Sequence, residues 1–104
     1  MTDKSIDQCL NFYSEDIPTT AAGVSLIGRP GTVWTLVVVA DTSDTTVINF
    51  SDDSTTYSNA HRIGKLVIVG PDTKWEGFGK GLFLTRGLCA VANNGSVDIW
   101  GVYE

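Results

Sequence analysis

From residue 24 onwards, short apolar segments alternate with polar, turn-forming segments. The apolar segments are rich in β-branched residues, and none of them has the spacing of an amphipathic helix. The predicted strands span residues 24–27, 32–40, 45–51, 62–69, 81–86, 88–93 and 96–104. This pattern predicts an all-β protein, an antiparallel β-sandwich of seven or eight short strands with a jelly-roll-like arrangement.

The connections between these strands carry recognisable turn chemistry. Asp41–Asp44 is predicted to be a four-residue hairpin connection, and Asn94-Gly95 favours a type I′ turn. Residues 52–60 are polar and rich in turn formers. Residues 73–80 contain two glycines and are predicted to form a loop that holds Trp75 and Phe78.

The first 23 residues differ from the rest, because isolated apolar residues lie among polar ones. Residues 5–12 fit a short helix with Ser5 as its N-cap, but they fit equally well an extended arm on a neighbouring subunit. Pro18 and Gly23 mark the entry to the compact region. The predicted organisation is therefore an N-terminal arm, residues 1–23, and a sandwich domain, residues 24–104.

Three predicted strands are apolar on both faces. In residues 32–40, Trp34, Leu36 and Val38 share one face, and Val37 and Val39 share the other. Val67 and Val69 in residues 62–69, and Trp100 in the last strand, likewise oppose other apolar residues. A soluble monomer rarely exposes a large apolar surface, so either the chain's own loops or a sister subunit must cover the second face.

Composition and charge narrow the class of protein. The 104 residues correspond to one domain, and Val, Thr and Ile account for 30 of them. The net charge is −5, which argues against a basic nucleic-acid-binding surface. The acidic excess lies in residues 1–52, with four acids within the first 16 residues. Such a segment suits a basic partner surface, although it also serves solubility.

No secretion signal or membrane span is recognisable in the sequence, so synthesis in the cytoplasm is expected. In that compartment Cys9 and Cys89 are expected to be thiols, and a disulfide between them would need an oxidising medium.

Catalytic and metal-binding patterns are weak. His61 is the only histidine, and nothing near Cys9 or Cys89 indicates an activated thiol. Asp41, Asp44 and the Asp52-Asp53 pair could offer oxygen ligands to calcium, but turn-forming Asp explains them too. Lys80, in a glycine-rich stretch, is not followed by the Ser or Thr of a phosphate-binding loop. We therefore expect neither an enzyme nor a cofactor.

Three aromatic residues fall in or near predicted loops, namely Tyr57, Trp75 and Phe78. Exposed aromatic rings on a β-sandwich stack on sugars or anchor a protein interface. The alternative is that they fold back and fill the core.

The C-terminal part of the chain resembles the ending of many small structural proteins of tailed bacteriophages. The stretches that carry the resemblance are residues 66–71 (LVIVGP), 83–91 (FLTRGLCAV) and 94–104 (NGSVDIWGVYE). They follow the order of an apolar strand, a Gly-apolar step, an Asn/Gly turn and a Val-rich closing strand. The resemblance implies a virion protein with a small β-sandwich, either a head decoration (cement) protein or a piece of a tail or fibre. It covers about the last 40 residues, and residues 1–23 do not share it.

Two functions follow as hypotheses. The first is a capsid decoration protein in the virion, a homo-oligomer, expected to be a trimer, that binds the major capsid protein but neither nucleic acid nor a membrane. The expected partner-binding residues are Asp3, Asp7, Phe12, Glu15, Asp16, Val37, Val39, Val67, Val69, Trp75 and Trp100. The second is a carbohydrate- or receptor-binding module of a tail or fibre, with Trp75, Tyr57 and Phe78 as its stacking platform.

Overall fold

A computed structural model describes residues 11–104, so Asp3, Asp7, Cys9 and most of the predicted short helix lie outside the described residues. The described chain folds into eight strands and one 3-10 turn, Asn59–His61. The strands are β1 (Phe12–Ser14), β2 (Val24–Ile27), β3 (Gly31–Ala40), β4 (Thr45–Ser51), β5 (Arg62–Val69), β6 (Asp72–Leu84), β7 (Leu88–Ala92) and β8 (Val97–Tyr103). Within residues 11–104 no helix is long and apolar enough to cross a membrane.

The strands form two four-stranded antiparallel sheets. Sheet A has the order β1-β8-β3-β6, and sheet B has the order β2-β7-β4-β5. The pairs β1–β8, β2–β7, β3–β6 and β4–β5 are those of one long hairpin that is rolled up on itself, which is the topology of a jelly roll. The predicted fold class, an antiparallel, jelly-roll-like β-sandwich, is confirmed.

The core lies between the two sheets and follows from the period of two along each strand. Fully buried side chains alternate with outward-facing ones in β4, with Ile48 at the centre, and in β8, with Val97 and Ile99. Residues 41–44 do connect β3 to β4, but the prediction of a hairpin is wrong, because β3 belongs to sheet A and β4 to sheet B, so the connection passes from one sheet to the other. Burial of each large aliphatic side chain contributes roughly 1.5–3 kcal/mol.

The sandwich begins earlier than the predicted boundary at residue 24. Strand β1 pairs with β8, and Ile17 is fully buried in the core. The side chain of Asn11 extends this pairing, because its amide oxygen accepts a hydrogen bond from the Tyr103 backbone N–H at 2.7 Å. Residues 11–17 are therefore part of the domain rather than of an arm, and Phe12 lies in a strand rather than in a helix.

The predicted loop of residues 73–80 is wrong, because these residues belong to strand β6. The glycines at 77, 79 and 81 suggested a loop, but the segment pairs with β3 along most of its length. The pairing shifts between Val33 and Thr35 of β3, opposite residues 78–81 of β6. Gly81 has φ +84° there and faces Thr32 and Trp34 closely, so the glycine allows a bulge instead of ending the strand.

The same irregularity changes the predicted face of Trp34. Strand β3 also shifts its register against β8 between Val33 and Thr35. Val33 is fully buried in the core, and Trp34 does not join the core cluster. Trp34 therefore does not share the inner face with Leu36 and Val38 as predicted, because the bulge reverses the alternation at this point.

Candidate functional site

The outer face of sheet A carries a row of apolar side chains that crosses all four strands. Tyr13 lies opposite Trp100, Trp100 opposite Val37, and Val37 opposite Trp75. Residues that are directly opposite in antiparallel strands place their side chains on the same face. We call Tyr13, Trp100, Val37 and Trp75 the aromatic row.

Contacts within the aromatic row are close. The rings of Tyr13 and Trp100 stack with centroids 4.7 Å apart and an interplanar angle of 28°. Val37 is only 4% exposed although it lies on an outer face, because the indoles of Trp100 and Trp75 flank it on both sides. Trp75 and Tyr13, at the two ends, remain 57% and 50% exposed. The row is thus a continuous apolar surface that is open to solvent at both ends.

Acidic groups flank the Tyr13 end of this row. The hydroxyl of Tyr13 donates a hydrogen bond to Glu15 Oε2 at 3.1 Å, and the backbone N–H of Asp16 donates to Asp98 Oδ1 at 3.0 Å. Partial desolvation, the bond to Glu15 and the nearby charges of Asp98, Glu15 and Asp16 raise the pKa of Tyr13. The predicted partner-binding residues Glu15 and Asp16 therefore lie beside Tyr13, at the β1 edge of sheet A.

Further apolar residues extend this face beyond the row. Val39, one of the predicted residues, pairs with Asp98 and Thr73 and is half-buried. Phe83 is 71% exposed on β6, between the inward-facing Leu82 and Leu84. Gly77 and Gly79 have open space where a Cβ would lie, so the surface beside Trp75 is low and unobstructed.

The outer face of sheet B has a different character. Val67 and Val69 on β5 are 41% and 77% exposed, and their partners on β4 are Val47 and Thr45. Strand β5 is the edge of its sheet. The predicted partner-binding valines thus fall on two opposite surfaces, Val37 and Val39 on sheet A and Val67 and Val69 on sheet B.

Phe12 is not on either outer face. It packs against the core, and its ring lies over Gly101 on β8. A side chain at Gly101 would overlap that ring. Phe12 was predicted to bind a partner, but it serves to hold β1 against β8.

The predicted stacking platform of Trp75, Tyr57 and Phe78 does not form. Tyr57 is buried, and its hydroxyl donates to Asn59 Oδ1 at 2.8 Å. Phe78 packs against the core and lines a cavity of about 230 Å³ between β5 and β6. Tyr57 and Phe78 are therefore core-filling residues, and Trp75 alone is exposed, on a strand rather than a loop.

The carboxylates that were candidates for calcium have other partners. Asp52 accepts hydrogen bonds from Thr85 Oγ at 2.7 Å and from the backbone N–H groups of Thr85, Arg86 and Gly87. Partial burial works against these bonds, but together they hold the pKa of Asp52 well below its usual range. Asp52 thereby fixes the turn between β6 and β7.

Asp53 and His61 form a pair, with Asp53 Oδ1 2.6 Å from His61 Nδ1. This bond, together with a hydrogen bond from Ser51, lowers the pKa of Asp53. Cys89 donates to the backbone oxygen of Asp53 at 3.3 Å, and burial raises the pKa of its thiol. The thiol is thus bonded to a carbonyl rather than to His61, and burial disfavours its reactive thiolate form.

Across residues 11–104, no group of three His, Cys, Asp or Glu side chains could hold a metal ion. We take the aromatic row as the candidate site of this part of the chain, because its four apolar side chains are aligned across sheet A and two of them are exposed. Sequence reasoning identified Trp75, Trp100 and Val37 as candidates but missed Tyr13. A three-residue strand is too short for its alternation to be recognised, and only the register with β8 places Tyr13 beside Trp100.

Comparison with protein-family models, curated proteins and solved structures finds no match to this chain.

Proposed function

We propose that the chain is a non-catalytic structural protein of a virion, a head decoration (cement) protein that associates with copies of itself and binds the major capsid protein. The phage-like C-terminal stretches support this proposal. So does the fold by analogy, because jelly rolls recur in viral capsid proteins, although they also recur in lectins. The proposed self-association rests on one observation, namely that the second half of edge strand β5 is uncharged and is not protected against pairing with another chain.

Within residues 11–104 the two sheets have four edge strands, and three of these are protected against pairing with another chain. Strand β1 has three residues, and β2 has four and a register shift. Strand β6 carries charged residues and the bulge at residues 78–81. Such devices are the ones that natural sandwiches use to keep an edge from pairing.

Strand β5 lacks this protection in its second half. Residues 66–69 contain no charge, and Val67 and Val69 are exposed on the outer face. A long apolar edge with unpaired backbone groups is a site for association. In the proposed assembly, β5 and its valines contact a sister subunit, and a trimer is the expected oligomer at a symmetric capsid position.

The contact with the head lattice is assigned to the acidic side of the molecule. Glu15, Asp16 and Asp98 lie together at one edge of sheet A and suit a basic surface on the major capsid protein. Each contact of this kind is weak. An oligomer that presents several of them at once gains affinity by avidity.

Light scattering and sedimentation with capsids that lack the protein test the proposal. The wild-type chain is expected to form an oligomer, to sediment with the capsids and to raise their resistance to heat. The double variant V67K/V69K is expected to lose self-association and most capsid binding. Thr73→Lys, which adds a charge on the β6 edge, is the matched control and should behave as wild type. A wild-type monomer that does not sediment would contradict the proposal.

A carbohydrate- or receptor-binding module of a tail or fibre is the second candidate. The observation that favours it is the aromatic row, since tryptophan and tyrosine rings are common anchors of binding surfaces. The β5 variants leave this row unchanged, so a binding assay with them separates the two functions.

A further inference from the structure

We infer that the outer face of sheet A binds an extended, uncharged glycan, whose sugar rings stack along the aromatic row. This inference rests on the second candidate function and not on assembly through β5. Three features of the face support it: the spacing of the rings, their exposure and the charge around them.

The spacing follows from the sheet. Tyr13 and Trp75, the two exposed rings of the row, lie on the edge strands of sheet A, with β8 and β3 between them. Neighbouring strands are about 4.8 Å apart, so these two rings lie about 14 Å apart across the face. Three successive sugar units of an extended glycan span a comparable distance. A chain laid across the strands can therefore contact both rings, with Trp100 and Val37 between them.

The exposed part of the row suits the apolar face of a sugar. Trp75 is 57% exposed, and the open space at Gly77 and Gly79 leaves its surroundings clear for a flat ligand. The C–H groups on one face of a pyranose carry partial positive charge, and the face of an aromatic ring carries partial negative charge. The row itself contains no charged side chain.

Charge around the row selects among glycans. The carboxylates of Glu15 and Asp98 lie at the Tyr13 end. They can accept hydrogen bonds from sugar hydroxyl groups, and they repel carboxylated or sulfated polymers. The expected ligand is therefore a neutral glycan and not an acidic one.

Tryptophan fluorescence titration and pull-down with insoluble polysaccharide test this inference on the full chain. The probes are a soluble cello-oligosaccharide, cellulose and mannan as neutral glycans, and polygalacturonate as an anionic one. The wild type is expected to bind at least one neutral probe and to bind polygalacturonate at least about tenfold more weakly.

Variants connect the binding to the row. Trp75→Ala is expected to weaken neutral-glycan binding at least about tenfold, because it removes one of the two exposed rings of the row. Trp75→Phe keeps a ring and should retain a large part of the affinity. Phe83→Ala is the matched control, since it removes an exposed aromatic side chain from the same strand but outside the row. Circular dichroism confirms that each variant is folded.

Two results would overturn the inference. One is that wild type binds none of the neutral probes, and the other is that Phe83→Ala weakens binding as much as Trp75→Ala does. If wild type binds no glycan and Trp75→Ala lowers the oligomer mass, the row is a contact between copies of this chain. That result would contradict glycan binding but would agree with a structural function of the chain.

Discussion

The two outer faces of the sandwich are both apolar, but they are built differently. On sheet A, the apolar side chains are mainly aromatic and interlock across four strands, with Val37 covered between two indoles. On sheet B, the exposed apolar side chains are aliphatic and lie along one edge strand, at Val67 and Val69. Apolar residues on the outside of a sheet therefore indicate two kinds of surface. A packed row suits a ligand, whereas an unprotected edge suits another strand.

The largest loss of stability is expected from Gly101→Ala, which disturbs the contact between Phe12 and Gly101 that holds β1 beside the aromatic row. The new Cβ would overlap the Phe12 ring and approach the backbone oxygen of Thr35 to 2.7 Å. Overpacking of this kind costs about 2–3 kcal/mol, which urea denaturation would measure. The variant should also lose the contact between Tyr13 and Trp100, because Phe12 holds β1 in place.

A matched control for this change is Gly95→Ala, where a Cβ has open space. If Gly101→Ala were as stable as Gly95→Ala, the docking of β1 through Phe12 would be wrong.

Asp52→Asn is expected to affect both faces, since Asp52 anchors the turn that joins β6 of sheet A to β7 of sheet B. Loss of charged hydrogen bonds should cost about 2 kcal/mol near neutral pH. Because the pKa of Asp52 is lowered in the folded chain, its stabilisation is present above about pH 4, the unfolded value, and is lost as pH falls through the folded pKa.

The measurement is the melting temperature of wild type and Asp52→Asn from neutral pH down to about pH 2. The variant should lose less stability on acidification than wild type does. Some loss should remain, because Asp53 also has a lowered pKa in the folded chain. Parallel curves for the two proteins would show that Asp52 does not supply this pH dependence.

A smaller loss of stability compares the packing of the two outer faces directly. Trp75→Ala is expected to destabilise the fold by about 1 kcal/mol, because the indole covers Val37, whereas Val69→Ala should cost less than about 0.5 kcal/mol at a 77% exposed position. Urea denaturation of both variants, at a concentration where the chain is monomeric, provides the comparison. Equal costs would mean that the aromatic row is no better packed than the β5 edge.

The smallest effect is expected from Tyr13→Phe, which keeps the stacked ring and removes the bond to Glu15. Stability should change very little, since the bond is exposed. Absorbance titration is more sensitive, because partial desolvation and the bond to Glu15 raise the pKa of Tyr13 above its usual value. The variant should lose that late ionisation, and its persistence would assign it to another tyrosine.

The sequence was sufficient for the fold class because most strands show regular alternation or β-branched runs between clear turns. It was insufficient where backbone geometry overrides the local pattern. The glycines of residues 77–81 are typical of a loop, but pairing with β3 holds them in a strand. The alternation of residues in the sequence places Trp34 on the same face as Leu36, but the bulge between Val33 and Thr35 turns it away from that face.

The candidate site was predictable in its parts but not as a unit. Val37, Trp75 and Trp100 were recognised from the parity of their strands or from their aromatic character. Their alignment depends on which residues of β3, β6 and β8 are opposite one another, and no pattern within one strand contains that register. Tyr57 was ambiguous for a related reason, because the turn that buries it is long and irregular.

The rolled-up hairpin also sets the order in which this molecule can be completed on the ribosome. Strand β8 is synthesised last, yet it lies between β1 and β3 in sheet A. Strand β1 therefore has no neighbour in its sheet until residues 97–103 have emerged. Pairing across so long a stretch of chain is slow and leaves strand edges open in the meantime. A nascent chain stopped before residue 97 would expose an unpaired edge of β3, so the emergence of β8 is the step that closes sheet A.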